Sequence, residues 1–153
     1  MEKILKHNIH LRRAVVVDSK QIALLAGELG YPSTAGEITN RIKSVNGDAD
    51  HAVFVAEDDR SKIVGWIHVM TLVHLESGRF AEIAGLVVSE NHRSLGIGRM
   101  LVNQAERWAS GKGCASMTVR SNIVRTETHK FYERLGYPLI KRQKVFRKKL
   151  VAE

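Results

Sequence analysis

Gly85-Leu86-Val87-Val88-Ser89-Glu90-Asn91-His92-Arg93-Ser94-Leu95-Gly96-Ile97-Gly98-Arg99-Met100 is the stretch on which the fold turns. It begins as an apolar, β-branched strand, continues as a loop holding two glycines, and ends as the first turn of a helix. A helix N-terminus offers unpaired backbone N–H groups and a partial positive charge, a combination that suits phosphate. Gly96 and Gly98 allow the backbone to approach such a group with no side chain between. Arg93 and Arg99 can add charge-assisted hydrogen bonds. The spacing excludes two other phosphate loops: a Rossmann fingerprint needs a third glycine and a later acidic residue, and a P-loop needs Gly-Lys-Ser/Thr. Taken alone, R-x-x-G-x-G is also compatible with a plain tight turn between strand and helix.

Working outward, the helix after this loop carries Ile97, Leu101, Ala105 and Trp108 as an apolar stripe and closes at Gly111 or Gly113. Before it, Arg79–Val88 is a strand following the Glu76-Ser77-Gly78 turn. His51–Glu57 and Ile63–Val73 form an antiparallel hairpin around Asp58-Asp59-Arg60-Ser61. Leu11–Val17 predicts a first strand. Asp18 is a candidate N-cap with Gln21 three residues on, opening a helix stopped at Gly30-Tyr31-Pro32. Thr34 and Glu37 make a second capping-box pattern ahead of Ile38, Ile42 and Val45. After the glycines come a short buried strand at Ala115–Val119, a helix from about Val124 to Leu135 ending at Gly136, and two terminal strands, Tyr137–Ile140 and Gln143–Lys149. The order β-α-α-β-β-β-α-β-α-β-β predicts an α/β (α+β) domain with a central mixed, mostly antiparallel sheet and helices on both faces.

A chain of 153 residues fits one domain, large enough to bury about 68–70% of its unfolded surface. The single cysteine, Cys114, precludes an internal disulfide and suits a reducing compartment. MEKILKHNIH places charges and histidines where a signal peptide needs an apolar run. Apolar runs such as Ala14–Val17 fall far short of the roughly 20 residues that cross a bilayer. A cytoplasmic protein with no membrane attachment is the expectation. The 24 Lys and Arg against 16 Asp and Glu give a formal charge of +8, which favours anionic partners. The densest basic block, Lys141–Lys149, reads as a solvated terminal strand. Phe146 is its one aromatic, which argues against a nucleic-acid partner.

Arg93, Ser94, Leu95, Gly96, Ile97 and Gly98 resemble the pyrophosphate loop of the GNAT superfamily of acetyl-CoA-dependent N-acetyltransferases. Asn122, Arg125, His129, Phe131, Tyr132, Leu135, Gly136 and Tyr137 resemble its second signature, N-x-x-R-x-x-x-H-x-F-Y-x-x-L-G-F/Y. The resemblance covers about residues 9–150 and implies one N-acetyltransferase domain over 1–153, with acetyl-CoA as acetyl donor. It further implies a strand splayed from its neighbour, so that Leu86, Val87 and Val88 bind the pantetheine arm and one of their N–H groups polarises the thioester. Ser94–Met100 (Ser94, Leu95, Gly96, Ile97, Gly98, Arg99 and Met100), together with Arg93, would hold the pyrophosphate. Asn122 and His129, with Tyr132, complete the cofactor-binding set.

Amide formation needs a neutral amine, yet an alkyl amine of pKa about 10.4 is neutral in only about one part in a thousand near pH 7.4. A base must therefore act. The leaving thiol, pKa about 8.5, can be served by a phenol of about 10; the resemblance puts Tyr132 in that role. Glu82 is the candidate base. It stands eleven positions before Arg93, the offset of the catalytic glutamate in the histone-acetylating branch of the family. A carboxylate among Ile83, Leu86, Val87 and Val88 is also costly without a task or a partner. An ion pair with Arg79 or Arg120, or proton relay through water, is the alternative. The seven histidines show no ligand spacing, so no metal is expected, and Cys114 has no evident partner base. The expected acceptor is a small-molecule or peptide amine bound near Glu82, walled by Glu28, Tyr31, His74 and Glu76; a homodimer is compatible with this. A sensor that holds acyl-CoA, or a basic nucleic-acid-binding module, is the competing class.

Overall fold

The computed structural model describes residues 8–121 and 126–151, and the chain divides into two compact units between Arg120 and Ser121. In the first unit the elements are β1 (His10–Arg13), α1 (Ser19–Leu29), α2 (Ala35–Asn46), β2 (His51–Glu57), β3 (Ile63–His74), β4 (Gly78–Val88), α3 (Ile97–Gly111) and β5 (Met117–Val119). The strands lie in the sheet in chain order; β1 to β4 are antiparallel neighbours, and β5 joins β4 in parallel. The sheet is mixed and mostly antiparallel, as the sequence predicts.

Helices cover both faces. Ile22 and Leu25 of α1 and Ile38 and Ile42 of α2 pack with Val53, Val55, Ile63 and Val87 on one face. On the other lies α3, whose Leu101 and Ile97 side chains would stand 3.2 and 3.5 Å from a Cβ placed on Gly65. Glycine at 65 thus lets the helix approach the sheet closely. The buried side of α3 runs through Ile97, Leu101, Val102, Ala105 and Ala109, leaving Trp108 at its margin. The capping box of α2 forms in both directions, with Glu37 N donating to Thr34 Oγ1 at 3.1 Å and Thr34 N to Glu37 Oε1 at 2.9 Å. Gly30 ends α1 at φ 96°, the left-handed conformation that glycine adopts without strain.

Several local readings are corrected. β1 ends at Arg13 rather than Val17, because Val16–Asp18 turns as a single 3₁₀ turn. Asp18 stands at the start of α1 but makes no side-chain cap. Its carboxylate turns back to Val15 N at 2.8 Å and to Arg12, where an ion pair serves a buried charge better than an exposed helix end. Gln21 accepts from Ile63 N at 2.8 Å instead of closing a capping box. β5 keeps only Met117–Val119 of the expected strand, and those residues are half-buried.

The second unit holds α4 (Thr126–Arg134), followed by Gly136 at φ 91°. Tyr137 N donates to Tyr132 O at 3.0 Å and Gly136 N to Glu133 O at 3.1 Å, closing the helix as its glycine predicts. The expected strands Tyr137–Ile140 and Gln143–Lys149 do not form. Leu139, Ile140, Val145 and Phe146 are all largely exposed, and a strand exists only where a neighbour pairs its backbone. No helix among the described residues is long and apolar enough to cross a membrane.

Candidate active site

β4 pairs with β3 along its whole length, but its parallel register with β5 ends at Ile83↔Val119. From Gly85 to Val88 no strand among the described residues pairs with the other edge. The outward backbone groups of Leu86, Val87 and Val88 therefore lie along a strand edge, the place where an extended amide-bearing ligand can add its own hydrogen bonds.

The register explains how this edge is framed. His68 faces Gly85 whereas Val69 faces Ile83, so Ala84 is an extra residue and the strand bulges there. The bulge puts Glu82 on the same face as Gly85 and Val87, the last of which packs against α1 and α2. Trp66, opposite Val87, lays its ring over Gly85; a Cβ there would stand 2.9 Å from Trp66 Cζ3. Beyond Val88 the chain is tied down by Ser89 N donating to Val64 O at 2.8 Å and turns through Glu90–His92. Ser94 at φ 66° and Gly96 at φ 87° are both left-handed, and Gly96 caps α3. Two such residues before a helix N-terminus gather several N–H groups into one concavity. The left-handed residues Ser94 and Gly96 shape a turn compatible with an anionic group, whereas Met100 N already donates to Gly96 O at 3.1 Å. Arg93 Nε donates to Val88 O at 3.3 Å, which bridges the loop to the strand end, and Arg99 is exposed.

Glu82 is mostly buried, with its side chain 16% exposed, and Arg120 Nε stands 3.2 Å from Glu82 Oε1. Of the two arginines considered as partners, Arg79 turns instead to Thr71 Oγ1 at 3.2 Å and Asp50 at 3.7 Å. Two positions along the same face, His68 Nε2 lies 2.9 Å from His51 Nδ1. This histidine pair is a feature that sequence reasoning missed. Burial, with the charge of His51 beside it, holds His68 down at about 4. Of the expected acceptor walls, Glu28 and Tyr31 are exposed, Glu28 Oε1 approaches Glu90 N at 3.4 Å, and the His74 ring meets Phe80 edge-on at 4.8 Å.

Within the second unit Tyr132 is buried and packs edge-on against Phe131 and Tyr137. Burial pushes its phenol up to about 12. His129 is half-buried on the same helix, while Asn122 and Arg125 lie outside the described residues. No group of three His, Cys, Asp or Glu among the described residues could hold a metal ion.

The fourth strand of this mixed sheet thus bulges, frees its edge and runs into a helix start that suits a phosphate. Residues 22–137 match the Acetyltransferase (GNAT) family, and the chain belongs to that family. An uncharacterized N-acetyltransferase of Chlorobaculum tepidum is 30% identical over 134 residues, covering 87% of this chain and 77% of that protein. An acetyl transferase of Oryza sativa subsp. japonica is 31% identical over 94 residues, but the match spans only 22% of its length. Among solved structures, an aminoglycoside N-acetyltransferase in complex with CoA superposes with a TM-score of 0.83 at 19% identity, covering 92% of this chain and 95% of that one.

Proposed function

We propose that this chain, acting as one domain over 1–153, is an N-acetyltransferase that carries an acetyl group from acetyl-CoA to a primary amine by direct attack in a ternary complex. The observation that carries the reading is the unpaired edge of β4 running into the left-handed residues and helix start at Ser94–Ile97. Bound there, acetyl-CoA would supply the thioester carbonyl. The chain's own contributions follow from its groups. Leu86, Val87 and Val88 offer backbone N–H groups, one of them a donor to the developing oxyanion. Ser94–Met100 and Arg93 hold the pyrophosphate, and Asn122 and His129 contact the remainder of the donor. Glu82 receives the proton of the attacking amine. Tyr132, assigned by its place in the second signature, keeps its proton at working pH and hydrogen-bonds the departing sulfur. The acceptor is a small-molecule or peptide amine in the cytoplasm; the fold shared with an aminoglycoside N-acetyltransferase is consistent with a small-molecule one.

The test is thiol release from acetyl-CoA against a panel of amines, beside calorimetry of acetyl-CoA binding. Gly98 lies inside the first turn of α3, so Gly98→Val adds bulk to the cradle without forcing a left-handed backbone. Affinity should weaken at least tenfold, which is about 1.4 kcal/mol. Unchanged affinity in a folded Gly98→Val protein removes the cradle, and tight binding with no thiol release on any amine favours a sensor.

A further inference from the structure

We propose that His68 and His51 form a relay that carries the amine's proton from the Glu82 face of the sheet to solvent at Asp48. The inference rests on the acetyltransferase reading above and deepens it.

Three observations place the relay. His68 pairs with Gly85 at the β4 bulge, and its next same-face neighbour, Met70, pairs with Glu82. Diagonal same-face positions in a sheet are about 7–8 Å apart, within reach of long side chains or one water. His68 Nε2 meets His51 Nδ1 at 2.9 Å, and the rings stack at 5.2 Å between centroids. His51 Nε2 lies 3.8 Å from Asp48 Oδ2, and the Asp48 side chain is 51% exposed.

The direction of the relay follows from the tautomers. A carboxylate facing His51 Nε2 favours a proton on that nitrogen, which leaves Nδ1 as an acceptor. His68 Nε2 must then donate, so its Nδ1 carries a lone pair. When that lone pair takes a proton, the Nε2 proton passes to His51 Nδ1, and the Nε2 proton of His51 passes to Asp48 and water. Two neutral rings sharing one proton also avoid the repulsion that double protonation would bring. Glu82, held by Arg120 at rest, takes the amine's proton when that pair opens and hands it to His68 Nδ1, so the relay begins where the carboxylate ends.

The balance is simple. An ammonium gives one proton to the relay and becomes a neutral amine. Its nitrogen lone pair forms the N–C bond, the C–S bond breaks, and the second nitrogen proton ends on the thiol. One proton per turnover leaves through Asp48.

Few other charges bear on His68. The neighbouring β2 positions on this face are His51 and Val53, and those of β4 are Glu82, Gly85 and Val87. Arg12 of β1 is held by Asp18 and Glu57. The helices over this face turn Ile22, Leu25, Ile38 and Ile42 inward, while Lys20, Glu28, Glu37, Arg41 and Lys43 are exposed.

The experiment compares wild type, His68→Gln, His51→Gln and Glu82→Gln by thiol release across pH 6–10, with folding checked by thermal melting. His68→Gln should lower kcat/KM by roughly 10²-fold at neutral pH. The loss should shrink above pH 9, and also with trifluoroethylamine, whose low pKa leaves it neutral at pH 7. His51→Gln should shift the profile the same way by less. Ring ¹⁵N spectra of the wild type, which need no activity, should show Nε2–H on both histidines. Nδ1–H on His68, or variant profiles parallel to wild type at every pH, overturns the relay while leaving acetyl transfer intact. A wild type that releases no thiol with any amine overturns the acetyltransferase reading, and the relay with it.

Discussion

At Glu82 two demands meet: a carboxylate inside a sheet must be paired, and a base must be free. Arg120 at 3.2 Å meets the first demand, and the Arg120 side chain, 63% exposed, leaves room for the pair to open when a cationic amine competes for the carboxylate. Tyr132 poses the converse problem. A phenol at about 12 facing a thiol near 8.5 gives up its proton uphill, by roughly 5 kcal/mol on aqueous reference values. In the proposed mechanism it would therefore act as a hydrogen-bond donor while the C–S bond lengthens, the sulfur taking its proton from the amine nitrogen. Tyr132→Phe removes that donor and keeps the ring packed on Phe131 and Tyr137. Turnover should fall about 10²-fold, the lower end for general acid catalysis, with acetyl-CoA affinity unchanged. Single-turnover kinetics with acyl donors of graded thiol pKa are the check: the loss should shrink as the leaving thiol becomes more acidic. A Phe variant with more than half the wild-type rate takes Tyr132 out of the chemistry.

The elements show which features a sequence announces and which only pairing creates. Thr34 with Glu37, Gly30 and Gly136 are local signals, and each acts where its chemistry requires. The pyrophosphate-like loop was legible for the same reason, since the glycines and the helix start are contiguous. The histidine pair was not. It depends on the extra residue Val64, which arises because Ala56 faces Gly65 while Glu57 faces Ile63. Were Val64 paired with Ala56 rather than bulged out, His68 would face Ala52 and point to the opposite face from His51, because side chains alternate with a period of two. The second bulge, at Ala84, turns Glu82 in the same manner. The terminal strands were overread because alternation marks a strand only where a partner exists, and Val145 and Phe146 have none of that burial. The β4 bulge also gives a stability test. A Cβ at Gly85 would lie 2.9 and 3.0 Å from Trp66 Cζ3 and Cη2, so the ring must tilt. Gly85→Ala should cost about 1–3 kcal/mol, and the cost should fall in a Trp66→Leu background. Denaturant melts of both singles and the double variant decide it; strictly additive losses show that Trp66 is not what glycine accommodates.

For the molecule as a whole, the shifted groups bracket a range of pH in which folding is most favourable. His68 stands at about 4 in the folded protein against 6.5 in an unfolded chain. Between those values the unfolded chain binds the extra proton, so stability present above pH 6.5 is lost as pH falls toward 4, by about 3 kcal/mol. Asp18 lies below its ordinary value; burial acts to raise it, but the bonds from Arg12 and Val15 win, so its contribution is lost only at lower pH still. Tyr132 works from the other side. Its phenol is raised from 10.0 to about 12, so the folded protein holds the proton that the unfolded chain has released. Stability is therefore full below pH 10 and is lost as pH rises to 12, by about 2–3 kcal/mol. Urea unfolding measured from pH 4 to pH 11.5 should give a plateau between about 6.5 and 10 with a fall on each side. His68→Gln should flatten the slope between pH 6.5 and 4 and leave the alkaline fall in place, whereas Tyr132→Phe should do the reverse. An acid slope that survives His68→Gln unchanged would mean that a different group, not this buried imidazole, sets the lower bound.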